Sequence, residues 1–302
     1  MTDTAPEPGA ATEIEPGLRR VLAPNPSPMT HWGTNTYLLG SGREICVVDP
    51  GPEDSGHLEA ILAATRGARI SQIVVTHSHK DHSPLAARLA AHSGASIAAF
   101  GPSEAGRSPV MQALAASGFA GGGEGVDADF APDRLLSDGE VIAGPDWSLE
   151  ALHTPGHMGN HLCLALGDVI LTGDHVMGWA SSLVSPPDGD VSDFMGSCAR
   201  LALRQARRLA PGHGAPIEDP LARLDWLISH RRGREAQILE ALGAGPGPLT
   251  ADTLASRIYA DIPPHLLPAA QRNVFAHLID LAVKGMVATP GALAPDSPFT
   301  PV

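Results

Sequence analysis

The chain has 302 residues, of which 43% are hydrophobic and 18% charged, a composition that predicts a soluble globular protein with a buried core. Its formal net charge of −13 disfavours non-specific binding to nucleic acid. We expect a cytoplasmic protein with no membrane partner, because no apolar run approaches the length of a membrane helix and residues 1–16 lack a secretory signal pattern. The three cysteines form no C-x-x-C pair and are expected to be buried free thiols.

The predicted elements of the first two thirds of the chain alternate strands and helices. Thr36–Leu39 and Ile45–Val48 are predicted to pair as strands around the turn Gly40-Ser41-Gly42. The patterns that follow predict helices over 57–65, 84–92 and 193–209, and strands over 70–75, 96–99, 147–153, 161–166 and 169–172. This order predicts an α/β fold of two mixed sheets with helices outside.

The C-terminal third has a different pattern. It predicts a long amphipathic helix over 221–242, shorter helices over 250–259 and 268–284, and a small apolar strand at 286–288. Three helices followed by a small wing are typical of a winged-helix module. We therefore expect two domains, 17–215 and 216–290, between flexible tails at 1–16 and 291–302.

The motif T-H-S-H-K-D-H at residues 76–82 concentrates metal-binding side chains: His77, His79, Asp81 and His82. Imidazole and carboxylate groups bind zinc and similar divalent ions. The motif follows a predicted buried strand, and a loop at the end of a strand can aim several ligands at one point. The alternative is a helix N-terminus that is rich in histidine by chance.

Three further sites can supply the ligands that a second metal ion would need. They are His157 in T-P-G-H, Asp174 in L-T-G-D, and His213 in A-P-G-H-G. Each of these residues follows a glycine, which lets the backbone turn sharply and approach a bound ion. One Pro-Gly-His sequence is weak evidence, but the four motifs in this order are strong evidence for a metal centre.

Together these motifs resemble those of the metallo-beta-lactamase-fold hydrolases, with Asp49 in V-V-D-P-G as the first of the series. The resemblance covers residues 18–215 and implies a four-layer αβ/βα sandwich. It implies that His77, His79 and His157 hold one metal ion. It implies that Asp81, His82 and His213 hold a second ion. Asp174 would bridge the two.

The resemblance also implies a chemistry. Two ions would produce a bridging hydroxide near neutral pH, and Asp81 and Asp174 would take part in catalysis by orienting it. Asp49 would support a ligand loop without touching metal, and His161 would take a supporting or substrate-facing role. The metal is expected to be zinc, although sites built from histidine and aspartate also accept iron or manganese.

The C-terminal segments 230–239, 254–259 and 269–278 resemble the beta-lactamase-like 2 branch, which joins the hydrolase domain to a winged helix. That branch includes proteins that act on single-stranded RNA and relatives that release acyl chains from thioesters. The same pair of metal ions suits both reactions. We expect a small-molecule or carrier-linked acyl thioester, or a related ester, as the substrate, with single-stranded RNA as the alternative.

Several other interpretations stay open at this stage. His230, Arg231, Arg232 and Arg234 either form a phosphate-binding patch or lie on a solvated helix face with a pair such as Arg231–Glu235. A non-catalytic winged helix could bind DNA or a protein partner, although helix 268–284 carries only two cations. A metal-binding protein without turnover is a further possibility. The sequence leaves the oligomeric state open.

Overall fold

Two β-sheets lie face to face between outer helices in the computed structural model, which describes residues 4–121, 125–245 and 247–302. The strands are β1 (Ala11–Glu15), β2 (Leu18–Leu22), β3 (Asn35–Leu39), β4 (Glu44–Val48), β5 (Arg69–Val74), β6 (Ser96–Ala99), β7 (Arg134–Leu135), β8 (Val141–Ala143), β9 (Ser148–His153), β10 (Leu162–Leu166), β11 (Val169–Gly173), β12 (Arg208–Pro211), β13 (Val287–Ala288) and β14 (Thr300–Pro301). The helices are α1 (Ser55–Ala64), α2 (Leu85–Ser93), α3 (Pro109–Ala116), α4 (Val191–Leu203), α5 (Pro220–Gly243), α6 (Ala251–Ile258) and α7 (Leu267–Val283), with a 3-10 turn at Pro264–Leu266.

The first sheet has the strand order β1-β2-β3-β4-β5-β6-β7, antiparallel from β1 to β4 and parallel from β4 to β7. Its central strands are buried on both faces, as their continuous apolar runs predict. On β4, Ile45 and Val47 pack toward α1 and α2, whereas Cys46 and Val48 pack toward the second sheet. This alternation follows from the two-residue period of a strand.

The second sheet has the order β12-β11-β10-β9-β8, in which only the β11–β12 pair is parallel. Its inner face, with Leu149, Leu162 and Leu171, completes the core between the sheets. Its outer face packs on Phe194 of α4 and Leu224 of α5. The result is helix, sheet, sheet, helix, and it confirms the predicted four-layer α/β sandwich.

Both predicted tails contain ordered strands. Residues 11–15 form β1, which pairs antiparallel with β2 at the sheet edge; residues 1–3 lie outside the described part of the chain. At the other end, Phe299 is fully buried and exchanges backbone hydrogen bonds of 2.9 and 3.0 Å with Leu249, and β14 pairs with β13. The tail predictions were wrong for these segments because edge strands are half exposed, so their composition is as polar as that of a tail.

The helix predicted over 193–209 is also corrected. α4 ends at Leu203, and Gln205 adopts a left-handed φ of 51°, which stops the helix. Residues 208–211 then form β12, whose Leu209 and Ala210 are fully buried beside β11. Helix α3 and strands β7 and β8 have no counterpart among the predicted elements.

The C-terminal domain has its own core. α6, α7 and the end of α5 pack around residues such as Leu254, Phe275 and Leu278, and the pair β13–β14 forms the wing. Thr250 caps α6, as predicted, by accepting a hydrogen bond from Thr253 N at 3.2 Å. α3 also packs into this core through Met111, so a segment of the hydrolase domain takes part in the winged-helix packing.

Candidate metal centre

The T-H-S-H-K-D-H motif forms the turn between β5 and α2. Backbone N–H groups of His82 and Ser83 donate to the carbonyl of His79 at 2.9 and 3.0 Å, so the turn is tight. His77 and His82 are buried in it. Because the turn leaves the end of a strand and closes on itself, its side chains point toward the edge where the two sheets meet.

Four predicted ligands converge in a first group: His77, His79, His157 and Asp174. One nitrogen or oxygen atom from each of them lies within 4.8 Å of all the others. The Nδ1 of His79 is 3.0 Å from Nε2 of His77 and 3.1 Å from Nε2 of His157. Three imidazole nitrogens and one carboxylate therefore surround a single point.

A second group consists of Asp81, His82, Asp174 and His213. His213 Nε2 is 3.1 Å from Asp81 Oδ2 and 3.3 Å from Asp174 Oδ2. His82 Nε2 is 3.4 Å from Asp174 Oδ1. Asp174 belongs to both groups, so its two oxygens can face two neighbouring ions. The structure thus brings together all seven residues that the motifs single out as ligands.

Hydrogen bonds on the remote ring nitrogen orient four of the imidazoles. Their Nδ1 atoms have these partners: Thr76 Oγ1 for His77 (3.0 Å), Asp49 Oδ2 for His82 (3.0 Å), Leu183 O for His157 (2.7 Å) and Gly33 O for His213 (3.0 Å). Each partner accepts the Nδ1 proton, so Nε2 is the atom directed at the centre, where it can bind a metal ion once it carries no proton. This is the arrangement of metal-binding histidines.

The histidines of the first group are neutral. Burial, with His157 close by, lowers the pKa of His79 to about 3. Burial also lowers the pKa of His77 well below its usual value, and it lowers the pKa of His157. Neutral imidazole is the form that binds a metal ion.

The second group carries a different charge balance. Burial alone would lower the pKa of His213, but Asp174 and Asp81 outweigh it and raise that pKa to about 9. The pKa of His82 is raised well above its usual value because Asp81, Asp174 and Asp49 outweigh the effect of burial. The negative charge of the two carboxylates therefore favours a positive charge at this place, which divalent ions would supply.

The donor atoms fit such ions. The Nε2 atoms of His82 and His213 face each other at 3.3 Å, with both Nδ1 protons donated elsewhere. Asp174 Oδ1 is buried and has no hydrogen-bond partner among the described residues. A cation between these atoms would satisfy all of them, and nitrogen and oxygen donors without thiolate suit zinc, iron or manganese. The three cysteines are buried free thiols and belong to neither group.

Asp49 lies behind the ligands and belongs to neither group. Its Oδ1 accepts from Thr76 N at 2.7 Å, and its Oδ2 accepts from Thr76 Oγ1 at 2.8 Å and from His82 Nδ1. The backbone of Asp49 has a left-handed φ of 50°. One carboxylate thus holds both the start and the end of the histidine turn.

The turn that carries His213 is held by β3. Asn35 Nδ2 donates to the carbonyls of Pro211 (2.9 Å) and Gly214 (3.0 Å), and the hydroxyl of Tyr37 donates to Pro211 O at 2.8 Å. A Cβ at Gly212 would lie 2.5 Å from Asp174 Oδ1, so only glycine fits beside the shared carboxylate.

Two further histidines lie just behind the metal centre. His161 is fully buried, its ring centroid 5.1 Å from that of His77, and its Nδ1 is 3.0 Å from Thr154 Oγ1. It belongs to neither ligand group. His175 packs on the Phe194 ring at 4.6 Å. Both residues are therefore structural neighbours of the ligands in this geometry.

The sequence did not predict a set of hydrogen bonds, the clamp, that connects the metal centre to the C-terminal domain. Ser182 Oγ donates to Asp174 O at 2.6 Å, and Arg231 donates to Ser182 O and, at 3.0 Å, to Asn273 Oδ1. Asn273 Oδ1 also accepts from Val184 N at 3.2 Å. The carbonyl between these residues, Leu183 O, is the partner of His157.

The position of Arg231 on α5 could have been inferred from spacing. It lies four residues after Leu227 and seven before Ile238, on the buried side of the helix. It is 3% exposed, so it is neither part of a phosphate-binding patch nor on a solvated face. The predicted Arg231–Glu235 pair is also wrong, because Glu235 pairs with Lys284 at 3.0 Å.

A cavity of about 470 Å³ lies over the metal centre. Its floor is formed by four ligands: His79, Asp81, His157 and Asp174. Its walls are largely apolar and come from three places: Pro28 and Met29 between β2 and β3, Met177 and Leu183 after β11, and Leu266, Pro268 and Ala269 around the start of α7. The polar wall residues are Ser27, His265 and Arg272. The C-terminal domain therefore forms one wall of the site. Among the described residues, no helix is long and apolar enough to cross a membrane.

Comparison with known families agrees with this geometry. The model of the metallo-beta-lactamase superfamily matches residues 29–213, and that of the beta-lactamase associated winged helix domain matches residues 250–292. A Drosophila melanogaster protein named beta-lactamase-like protein 2 homolog is 30% identical, over 91% of this chain and 91% of its own length. An atrochrysone carboxyl ACP thioesterase from Claviceps purpurea is 28% identical, over 86% of this chain and 78% of its own length.

The solved structures include a metallo-beta-lactamase family protein from Thermus thermophilus with a TM-score of 0.75 and 25% identity. It covers 96% of this chain and 100% of its own. Both domains are thus shared, in the same order, with proteins of one family. The chain belongs to the metallo-beta-lactamase superfamily, and it is a hydrolase with a beta-lactamase associated winged-helix domain.

Proposed function

We propose that the protein hydrolyses acyl thioesters of a small molecule or a carrier, using two divalent metal ions. The observation that carries the proposal is the cavity, in which two ligand groups that share Asp174 lie beneath apolar walls. An acyl chain fits such walls, and its carbonyl would lie over the ligands. The relative named as an ACP thioesterase, which this chain matches over most of its length, supports the same chemistry.

The residues can be assigned parts in this reaction. His77, His79, His157 and Asp174 would hold one ion, and Asp81, His82, His213 and Asp174 the other. When bound, the ions lower the pKa of a water molecule and polarise the carbonyl oxygen of the substrate. We propose zinc as the metal, with iron or manganese as alternatives.

Asp81 and Asp174 are proposed to act on the water. Asp81 is the more open of the two, with 27% of its side chain exposed against 8% for Asp174. Its carboxylate can therefore accept a hydrogen bond from the attacking water and orient it, while Asp174 stays fixed between the two groups. The water oxygen bonds to the carbonyl carbon, the C–S bond breaks, and the proton passes to the thiolate. Because a free thiol has a pKa of about 8.5, the thiolate leaves without a dedicated acid.

The side chains give little support to the alternative that the protein cleaves single-stranded RNA. Arg231, the centre of the predicted phosphate patch, is buried and used in the clamp. The cavity wall is mostly apolar, and Arg272 is the one arginine among its described lining residues, whereas a single strand needs a row of cations along its backbone and stacking platforms for its bases. Binding of DNA through α7 is disfavoured as well, because residues 274–281 of that helix are all buried.

A turnover assay on metal-loaded protein tests the proposal. The substrates are a panel of acyl thioesters and a single-stranded RNA, with Asp81→Ala as a blank. We expect thioester hydrolysis that falls at least about 100-fold in the variant, because a ligand and the group that orients the water are both lost. RNA cleavage that disappears in the variant, without thioester hydrolysis, would contradict the proposal.

A further inference from the structure

A second cavity of about 300 Å³ adjoins the one over the metal centre. The two cavities share six wall residues, all of them apolar: Pro28, Met29, Met177, Leu183, Leu266 and Ala269. The second cavity lies between the loop after β11 and the helices α5 and α7. A continuous path therefore leads from the ligands, through an apolar neck, to the C-terminal domain.

The far end of this path is positively charged. Arg234 and His230 line it, and none of its described lining residues is Asp or Glu. This contrasts with the whole chain, whose formal net charge is −13. Burial and the nearby guanidinium groups of Arg231, Arg234 and Arg223 lower the pKa of His230, which reports a positive potential at this place.

Both side chains are held in position. The guanidinium of Arg234 lies over the Tyr259 ring, 4.0 Å from its centroid, and donates to Gln237 Oε1 at 2.6 Å. Its Nε is buried with no hydrogen-bond partner, and no carboxylate of the described residues pairs with it. The ring of His230 stacks on Trp226 at 4.9 Å. A guanidinium that is held in place, lines a cavity and has no carboxylate partner among the described residues is suited to a phosphate group.

We propose that Arg234 and His230 bind a phosphate on the leaving group of the substrate, so that the thioesters hydrolysed are those of a phosphopantetheine arm. This inference rests on the proposed function. Such an arm has an acyl thioester at one end, a phosphate at the other and an uncharged chain between them, which matches the order of ligands, apolar neck and guanidinium. Coenzyme A and the prosthetic arm of a carrier protein share this chemistry.

The test compares one acyl group on three thiols: pantetheine, coenzyme A and a phosphopantetheinylated carrier protein. In Arg234→Gln we expect KM for both phosphate-bearing substrates to rise about tenfold, the effect of losing one charge-assisted hydrogen bond, with kcat changed less than about twofold. KM for the pantetheine ester should stay the same. An effect on only one phosphate-bearing substrate would also support the site and would identify the source of the phosphate.

Arg232→Gln is the matched control, because Arg232 is exposed on the same helix and lines a different cavity. It should leave all three KM values unchanged. An equal rise in KM for all three substrates in Arg234→Gln would overturn the inference, since the arginine would then act only on the packing of the cavity.

A binding experiment distinguishes failure of this inference from failure of the proposed function. S-alkyl coenzyme A and S-alkyl pantetheine, which cannot be hydrolysed, are titrated into wild type and Arg234→Gln by calorimetry. Tighter binding of the coenzyme A derivative that is lost in the variant would support the site even without turnover. No preference for the phosphate-bearing analogue, or binding of single-stranded RNA through Arg234 in its place, would overturn it.

Discussion

At the scale of single residues, the metal centre is organised by the hydrogen bonds behind it. Asp49 accepts from Thr76 and His82, and Thr36 Oγ1 donates to the carbonyl of Asp49 at 2.7 Å. Thr36 in turn accepts from Nε2–H of His57 at 2.8 Å, because its own proton is already used. The tautomer of a buried histidine is therefore connected to the carboxylate that supports the ligand turn.

His57 predicts an acid sensitivity of the fold. Burial lowers its pKa from 6.5 to about 4, although Asp54 opposes the shift, and its Nδ1 has no partner among the described residues. The unfolded chain binds the proton of His57 more tightly than the folded protein does. The contribution of this histidine to the free energy of unfolding is therefore fully present above pH 6.5 and is lost as the pH falls toward 4. This histidine alone should remove about 2 kcal/mol of unfolding free energy at pH 5.

Replacement of His57 by glutamine keeps a donor for Thr36 and removes the titration. The free energy of unfolding, measured by chemical denaturation, should fall from pH 7 to pH 5 in both proteins. The fall should be about 2 kcal/mol smaller in His57→Gln than in the wild type. The exposed His92 provides the control, and His92→Gln should lose as much as the wild type. An identical loss in His57→Gln and wild type would show that this residue does not carry the effect.

At the scale of elements, the ligands come from loops at strand ends, and the loop after β11 is held by the C-terminal domain. Asn273 of α7 accepts from Val184 N and from Arg231, and these bonds fix the stretch whose carbonyl accepts the proton of His157. The winged helix thus acts on a metal ligand through one loop, while α7 itself forms a wall of the cavity.

Asn273→Ala should weaken metal binding at the first group without unfolding the protein. The change leaves two donors, Val184 N and Arg231 Nη1, without their acceptor, which costs about 1–3 kcal/mol of stability. We expect the affinity for metal, measured by chelator competition, to fall about tenfold because the partner of His157 loosens.

The neighbouring Gln271 is a suitable control, because it lies on the same helix and lines a different cavity. Gln271→Ala should keep the wild-type metal affinity. If Asn273→Ala also kept it while losing stability, the clamp would serve the fold alone and not the ligand.

At the scale of the whole molecule, the centre lies where the two sheets and the C-terminal domain meet, so metal binding and folding are coupled. The carboxylates of Asp81 and Asp174 share one site with His82 and His213, whose pKa values they raise, and divalent ions would replace the protons of these two histidines. Removal of metal should therefore lower Tm by about 5 °C or more, as expected for loss of a tightly bound ligand from a chain of this size.

Differential scanning calorimetry of metal-loaded and chelator-treated protein measures this shift, with Asp81→Ala as the variant whose Tm should respond less to the chelator. Restoring zinc to the treated protein should restore Tm. Equal Tm values with and without chelator would contradict metal binding at this site.

Much of the fold and of the candidate site could be predicted from the sequence, because the signals are local. Alternating apolar runs predicted strands such as 96–99 to the residue, and the ligands stand in short motifs with glycine beside them. Edge strands were missed because their half-exposed residues resemble a tail. β12 was missed because four residues are too few to show a period.

The sequence by itself determined which side chains can bind metal, since imidazole and carboxylate groups in a fixed order are a property of the chain. Only the tertiary structure decided what surrounds them, because burial and long-range contacts depend on how distant segments pack. Arg231 and Arg234 are three residues apart on one helix, yet the first is buried in the clamp and the second lines a cavity. Helical spacing indicates that they lie near one face, but the packing of α5 against α7 and the loop after β11 decides which of them meets solvent.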